Sequence, residues 1–548
     1  MWLSTAAVAA TVNLPGAVEP GHDRPLPQPE ARPNFDFSIV APRRSPVPRA
    51  VDEIHFKLSN IRIEGATVIP AEQFTHLFAG LRGHMITLAT IFDIADGIEK
   101  EYRAAGYLLV RAYVPPQHVN NGVFTIRVVE GFVASTIIQG GGPSARRKVK
   151  SYLNPVLVER PLRLATIERA LLLSNAIPGV AATGVLRPSQ SVPAASDLVV
   201  TLVQPPVTAE LSANNRGSHF SGIWTTTGTV AYNGILGADE LDATLTLSPN
   251  KLDEQMAGQL RYRTAIGSDG LAGTIFAAGT DGAPGGSLGK AEIRSKSWAV
   301  GPRLTYPLIS SRANSITLGA GITAQEARVT ILGVGIYHDV WRVADFSIAY
   351  SGNDFLAGDM SSAVDVVQGL PFLGASPNHS AELSLDGRTT FTKVAGEFRY
   401  TNDLAAPFTF NISGSAQYAF EPLITGEQIL FGGTQIGRGY DPGAITGDSG
   451  AGGSFELRYD TRWSDLAIEF LQPYAYLDAA KVENLRRPPT AGIPLANFSI
   501  ASTGLGLRIW LPYHIYFDLE GSHTLEAVPG SDGGKCATKL LTDVAVTF

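Results

Sequence analysis

The sequence predicts a mainly β protein in which a transmembrane antiparallel β-barrel of about 16 strands follows two α+β modules. Three observations support this class. Only 17% of the 548 residues are charged, which is low for a surface that faces water throughout. Apolar and polar residues alternate through the C-terminal part of the chain. No run of about eighteen apolar residues occurs, so strands rather than helices are expected to cross a membrane.

The N-terminal segment, residues 1–52, is predicted to be an export remnant followed by a proline-rich linker. Its first residues are apolar and alanine-rich, but no lysine or arginine precedes them, so an earlier start remains open. Prolines recur from Pro15 to Pro48. They disfavour a continuous helix and favour an extended spacer.

Residues 53–132 are predicted to form the first module, in the order strand, two helices, two strands. Pro70 opens the first helix, at a position where the missing N–H of proline costs nothing. Apolar residues at helical spacing predict the second helix over 90–104. Alternating segments then predict strands over 107–114 and 123–129.

The same order recurs, more weakly, in residues 133–205. Two tandem modules of one design form a repeat, which is more specific than either module alone. The predicted helices span 146–153 and 164–175, and the predicted strands span 134–139, 180–187 and 197–203.

Residues 206–548 contain no convincing helix and many alternating segments. In one of them Phe455 and Leu457 share a face opposite Glu456 and Arg458. A soluble sandwich gives the same alternation. At about 20 residues for each strand and its connection, however, this length holds roughly 16 strands, an even number typical of outer-membrane barrels.

A glycine-rich segment in this region carries a cation that needs a partner. Its centre is the tetrad Gly437, Arg438, Gly439 and Tyr440. Asp478 follows on a strand whose alternation places it on one face with Tyr474 and Tyr476. If that face lines the lumen, Arg438 and Asp478 meet inside the barrel. Removing one partner of a buried ion pair costs about 3–5 kcal/mol, so the pair is a candidate latch for the loop. A solvated arginine in a water-filled pore is the alternative.

Composition argues against several other functions. A net charge of -7 and a pI near 5.9 disfavour nucleic acid as a partner. The histidines lack paired ligand spacing and Cys536 is the single cysteine, so neither a metal nor another cofactor is expected. The run Gly447 to Gly450 contains Asp448 and Ser449 but lacks the further glycine and histidine context of a serine protease, so no enzyme is expected.

The chain resembles the transporters of two-partner secretion systems, the TpsB or haemolysin activation and secretion family, within the superfamily of barrels that carry POTRA modules. The resemblance covers about residues 50–548. Its most specific parts are Tyr102–Gln117, Gly122–Gly131, the tetrad and Leu477–Ala479. It implies a 16-stranded barrel in the bacterial outer membrane, two POTRA modules in the periplasm, and export without ATP of one large β-helical exoprotein, a TpsA-like partner. Outer-membrane lipid and the barrel-assembly machinery are further implied partners.

The resemblance also assigns roles to residues. Arg438 matches the family arginine that meets the aspartate matched by Asp478, with the hairpin folded back into the lumen. Gly437 stands where valine or isoleucine is commoner, which predicts a looser hairpin tip. The proline-rich start shows no clear amphipathic helix that would serve as the family's plug.

The open sheet edges of POTRA modules suggest how an unfolded exoprotein is captured, because an extended chain adds as a strand to such an edge. We expect the groove in the second module, at its edge strand and the helix over 164–175. The candidate groove residues are Leu164, Ile167, Leu171, Leu198 and Val200.

Two other functions stay open at this level. A barrel-assembly insertase of the same superfamily would carry more POTRA modules than fit before residue 207. An outer-membrane hydrolase would need a serine, histidine and acid set that the sequence does not reveal.

Overall fold

The computed structural model describes residues 36–40, 53–119, 121–192, 195–353, 358–461, 468–487, 496–528, 531 and 534–548. Within the N-terminal segment, residues 36–40 are extended and contain strand β1, Asp36–Ile39. The prediction of an export remnant and the question of a plug helix lie outside the described residues.

The first module packs one helix and two 3-10 turns against small sheets. Its elements are β2 (His55–Lys57), β3 (Asn60–Glu64), β4 (Met85–Thr87), α1 (Leu88–Ala104), β5 (Arg111–Tyr113) and β6 (Val123–Val129). Strand β6 lies between β3, which is parallel to it, and β5, which is antiparallel. The hydroxyl of Thr87 accepts a bond from the Thr90 N–H and caps α1. The helix predicted at Pro70 is a 3-10 helix, Ala71–Leu77, in which only Phe74 is buried.

The second module has its own core, with two helices on one side of a sheet. Its elements are β7 (Phe132–Gly140), α2 (Pro143–Val158), α3 (Leu164–Asn175), β8 (Ala181–Pro188) and β9 (Ala195–Val203). The order in the sheet is β1-β8-β9-β7, so β9 is central. The N-terminal strand β1 pairs in parallel with β8.

The rest of the chain closes into an antiparallel barrel of sixteen strands, so the predicted fold class is confirmed. The first eleven strands are β10 (Val207–Asn214), β11 (Thr225–Asn233), β12 (Asp239–Leu247), β13 (Met256–Ala265), β14 (Ala272–Gly282), β15 (Arg294–Ser310), β16 (Asn314–Ile331), β17 (Val334–Gly352), β18 (Asp359–Gly369), β19 (Thr392–Ala405) and β20 (Phe408–Ala419). A separate hairpin of β21 (Ile429–Phe431) and β22 (Ile445–Gly447) interrupts the barrel sequence. The last five strands are β23 (Ser449–Tyr459), β24 (Phe470–Glu483), β25 (Phe498–Leu511), β26 (Ile515–Thr524) and β27 (Thr538–Thr547).

The barrel is closed by its first and last strands. Glu210–Asn214 of β10 pair with Asp543–Thr547 of β27. Along the strands, exposed apolar side chains such as Leu477 alternate with buried polar ones, which is the pattern of a barrel wall between lipid and lumen. Among the described residues, none of the helices combines the length and hydropathy needed to span a membrane.

The second module rests on the short turns at one end of the barrel. Arg169 of α3 donates to Asp269 and to the carbonyl oxygen of Pro307. Lys148 of α2 donates to the carbonyl oxygen of Gly267 at 2.8 Å. These contacts place the second module at the barrel end opposite the loop that carries β21 and β22.

Candidate functional site in the barrel lumen

The hairpin of β21 and β22 leaves the far end of the barrel and turns back inside it. Its connecting residues run from Gly432 to Ala444 and bend sharply, with φ values of 114° at Gly432 and 83° at Gly437. Only glycine adopts such values without strain. The tip of this loop contacts side chains on the inner faces of β23, β24 and β25.

Arg438, at the tip, is 7% exposed and is bound by Asp478 of β24. Its Nε and Nη2 donate to the two carboxylate oxygens of Asp478 at 3.2 and 3.3 Å. The backbone N–H groups of Gly437 and Arg438 donate to Asp478 Oδ2 as well, at 3.2 and 3.0 Å. Asp478 is completely buried, so one carboxylate fixes both the side chain and the backbone of the tip.

Further groups surround the guanidinium, among them Glu520, whose Oε2 lies 3.7 Å from Nη1. Nη1 donates to Glu456 Oε2 of β23 at 2.7 Å, and Nη2 donates to the hydroxyl of Ser454 at 3.1 Å. The ring of Tyr476 lies beneath Arg438 Cζ, with 3.4 Å to the ring centroid, which is a cation–π contact. The charged loop tip is therefore held from several directions by the barrel wall.

The carboxylate of Glu456 links Arg438 to a second layer of charges. It accepts two bonds from Arg508, at 2.8 and 3.0 Å, and one from Arg458 at 2.7 Å. Arg508 in turn stacks over Tyr474, 3.9 Å from the ring centroid. Moving Arg438 away from Glu456 therefore disturbs a network and not a single pair.

The other two tetrad residues fix the loop beyond the arginine. A Cβ at Gly439 would lie 2.9 Å from Thr524 Cγ2 and 3.0 Å from Ser522 Oγ, so only glycine lets the backbone approach β26 this closely. The hydroxyl of Tyr440 lies 2.9 Å from the carbonyl oxygen of Ala501 and 2.8 Å from that of Glu526. The tetrad as a whole is buried.

The predicted positions differ in how they fit the structure. Arg438 and Asp478 are in contact, and Tyr474 and Tyr476 share the buried face of β24 with Asp478. Gly437 does not form a loose tip, because it is buried and its N–H is bonded. Whether these residues act in export stays a prediction.

Glu456, Ser454, Arg508 and Glu520 were missed as partners by sequence reasoning. The alternation of the strands already placed Glu456 and Arg508 on polar faces. What the sequence lacks is the register between strands, which sets Ser454 opposite Asp478. A search for every charged residue on the polar faces of β23 to β26 would have found Glu456, Arg508 and Glu520, but not the uncharged Ser454.

The predicted groove residues of the second module lie elsewhere than expected. Leu198 and Val200 lie on the central strand β9 and are fully buried, and Ile167 and Leu171 are 2% and 1% exposed. These four side chains form the module's core and are not accessible to a polypeptide, which corrects the expectation of an open groove. Leu164 is half-buried, and its N–H donates to the carbonyl oxygen of Gly106 at the junction with the first module.

Two other candidate sites were considered in the sequence, a metal site and a protease-like motif. No group of side chains suited to holding a metal ion occurs among the described residues. Asp448, from the run that resembles a serine protease motif, is fully buried and paired with Arg487 at 2.8 Å. A cavity of about 370 Å³ separates the hairpin from the wall formed by β18, β19 and β20.

Comparisons with known proteins agree with this geometry. The profile of the haemolysin secretion/activation protein ShlB/FhaC/HecB matches residues 195–509, more than half of the chain, and that of the ShlB-type POTRA domain matches residues 56–131. The heme/hemopexin transporter protein HuxB of Haemophilus influenzae strain 86-028NP is 22% identical over 77% of this chain and 76% of its own. The outer membrane transporter CdiB of Escherichia coli O6:K15:H31 is 20% identical over 76% of this chain and 70% of its own.

A solved structure extends the likeness to the fold. CdiB from Escherichia coli superposes with a TM-score of 0.70 at 19% identity, and the match covers 92% of this chain and 93% of that one. The chain thus belongs to the haemolysin secretion/activation protein family ShlB/FhaC/HecB, the outer-membrane transporters of two-partner secretion.

Proposed function

We propose that this transporter captures one large β-helical exoprotein, unfolded, through its periplasmic modules and passes it through the barrel without ATP. The relatives support a transport function, since HuxB is a heme/hemopexin transporter, CdiB is an outer membrane transporter and HpmB of Proteus mirabilis is a hemolysin transporter. Outer-membrane lipid contacts the barrel wall, and the barrel-assembly machinery inserts it. Folding of the cargo outside the cell supplies the direction of transport.

The same proposal divides the chain into functional parts. Residues 1–52 are the export remnant and linker, 53–132 and 133–205 are two POTRA modules, and 206–548 are the barrel. Two separate hydrophobic cores, one in each module, support the boundary between the two modules. Two modules among the described residues favour transport over the insertase alternative.

The loop that holds Arg438 acts as a latch that keeps the hairpin inside the lumen. In the latched state Arg438 is nearly without solvent contact and is bound to Asp478 and Glu456. The hairpin occupies lumen space that a polypeptide in transit needs. Releasing the hairpin separates Arg438 from the carboxylates buried with it, which costs free energy and so stabilises the latched state. Binding of the cargo supplies the free energy that opens the latch.

Export of a co-expressed TpsA-like exoprotein tests the latch. We expect Arg438→Ala to reduce export strongly while the barrel still inserts, as judged by heat-modifiable gel migration. Arg399→Ala is the matched control, because Arg399 is an exposed arginine that lines a lumen cavity together with Arg438. Equal export by both variants and wild type overturns the latch and favours a solvated arginine, whereas export absent even from wild type overturns transport of this cargo.

A further inference from the structure

The outer edge of β8 in the second module, where an incoming strand would add, is already occupied by β1. The pairing is parallel and joins Asp36 to Thr183, Phe37 to Gly184 and Ile39 to Leu186. Just beyond the strand, the Val40 N–H donates to the carbonyl oxygen of Leu186 at 2.8 Å. The chain's own N-terminal segment therefore completes the sheet of the second module.

One side chain anchors this added strand. Phe37 is half-buried and packs against the core formed by α2, α3 and the sheet. Its seat is Gly184, where a Cβ would lie 3.3 Å from Phe37 Cδ2 and 2.7 Å from Leu171 Cδ1. The missing side chain at Gly184 thus leaves room between β8 and α3 for an aromatic ring.

The rest of β1 contributes little besides backbone pairing. Asp36 and Ser38 are exposed, Ile39 is 42% exposed and Val40 is 53% exposed. The strand spans four residues, and Pro33 and Pro42 stand on either side of it in the sequence. Because proline has no N–H to donate, the ladder cannot extend through these positions. The edge therefore carries a short occupant with one aromatic anchor.

We propose that β1 is a resident strand that covers the polypeptide-binding edge of the second module and is displaced by an extended, aromatic-bearing segment of the exported polypeptide. This inference rests on the proposed function and names the site of capture within it. A strand in place of β1 gains the same backbone bonds along β8, and an aromatic ring over Gly184 gives selectivity. The occupant also shields an open edge from unwanted strands while no cargo is present.

Binding of a synthetic peptide tests the exchange directly. The probe is a fluorescent peptide with the sequence of residues 34–41, added to the full-length protein in lipid nanodiscs. We expect Phe37→Ala to bind it at least about tenfold more tightly than wild type, because the weakened resident strand competes less. Val40→Ala is the matched control, since it shortens an exposed side chain of the same segment and keeps the N–H; we expect it to bind as wild type does. Equal binding by Phe37→Ala and wild type overturns the proposal.

A reversible lock tests the consequence for export. Ser38 and Val185 are register partners, and neighbouring strands lie about 4.7–4.9 Å apart, within the Cα separation of a disulfide. In a Cys536→Ser background, Ser38→Cys with Val185→Cys is expected to crosslink, to abolish peptide binding and export, and to regain both on reduction. Each single-cysteine variant is the control.

The outcomes separate this inference from the function beneath it. Failure of the cysteine pair to crosslink, or full export by the locked protein, overturns the resident strand and leaves transport intact. Loss of export that persists after reduction, or that also occurs in the single-cysteine controls, counts against the resident strand because the lock is not its cause. Export that is absent even from wild type bears on the proposed transport, since no strand is locked there.

Discussion

Asp478 in the lumen and Glu130 in the first module hold loops by the same hydrogen-bonding arrangement but with different partners. Each carboxylate accepts bonds from two consecutive backbone N–H groups of a loop. Asp478 accepts from Gly437 and Arg438, and Glu130 accepts from Thr67 and Val68. The remaining donors differ. Asp478 binds a guanidinium, whereas Glu130 binds the hydroxyl groups of Thr67 and Tyr102.

The difference decides what can open each loop. In the lumen, the charge of Asp478 is balanced by Arg438, so parting them leaves the buried Asp478 carboxylate without its cation. In the module, neutral donors bind Glu130, and protonation removes the charge of the carboxylate that they bind. The lumen loop is therefore sensitive to loss of a charged partner, and the module loop is sensitive to pH.

Loss of the lumen carboxylate gives the largest expected effect. Asp478→Ala is expected to weaken attachment of the hairpin by about 3–5 kcal/mol, because Arg438 and two backbone N–H groups lose their acceptor. Protease sensitivity of the loop and export of the exoprotein measure it. Lys481→Ala on the same strand is the control, since Lys481 and its partner Glu483 are exposed. The double variant Arg438→Ala with Asp478→Ala is expected to weaken attachment of the hairpin by less than the sum of the two single variants. If the two losses simply add, the two residues are not paired.

A smaller effect is expected from giving the loop the residue commoner in its family. Gly437→Val is expected to destabilise the hairpin by about 1–3 kcal/mol, because φ is 83° and an added Cβ would lie 2.5 Å from Ile500 Cδ1. The assay is the same protease digestion. Gly453→Ala on β23 is the control, as its added Cβ meets only Ser413 O at 3.4 Å. A valine variant as resistant as wild type means that the loop backbone has another conformation.

The smallest effect concerns the module. Burial raises the pKa of Glu130, but the bonds from Thr67 and Tyr102 outweigh it and hold the pKa below its ordinary value. A carboxylate with a lowered folded pKa stabilises the fold above its unfolded pKa, about 4.3, and that contribution is lost as the pH falls through the folded value.

Thermal unfolding of the full-length protein between pH 7 and pH 3 measures this. We expect Glu130→Gln to lower the free energy of unfolding by about 1 kcal/mol at pH 7. The variant's stability is also expected to fall less than that of wild type as the pH is lowered. Glu64→Gln is the control, since Glu64 pairs with Arg127 at 3.7 Å on the surface. If the stability of wild type falls no more steeply with decreasing pH than that of Glu130→Gln, the Glu130 carboxylate does not stabilise the module as assigned.

Local patterns made much of the fold predictable. Alternation along one strand tells which side chains share a face, and so β24 was read correctly from Tyr474 to Asp478. Helical spacing similarly indicated α1 and α3, whose apolar faces are buried as expected. These features depend on residues close together in sequence.

Features that depend on distant strands were not predictable. Leu198 and Val200 were placed at an edge because a strand's own sequence does not reveal its neighbours, and β9 is in fact paired on both sides. Strand β1 escaped notice because four residues between prolines carry too little alternation to stand out. The partners of Arg438 beyond Asp478 depend on the register of several strands at once.

Closure of the barrel has a consequence for how the protein is made. The first and last strands pair with each other, and Phe548 exchanges backbone bonds with Ala209. These segments lie at opposite ends of the barrel sequence, and contacts so far apart along a chain form late in folding. Until they meet, β10 and β27 each present an open row of hydrogen-bonding groups. An unclosed barrel therefore exposes two strand edges at once, each able to pair with an extended strand as the edge of β8 pairs with β1.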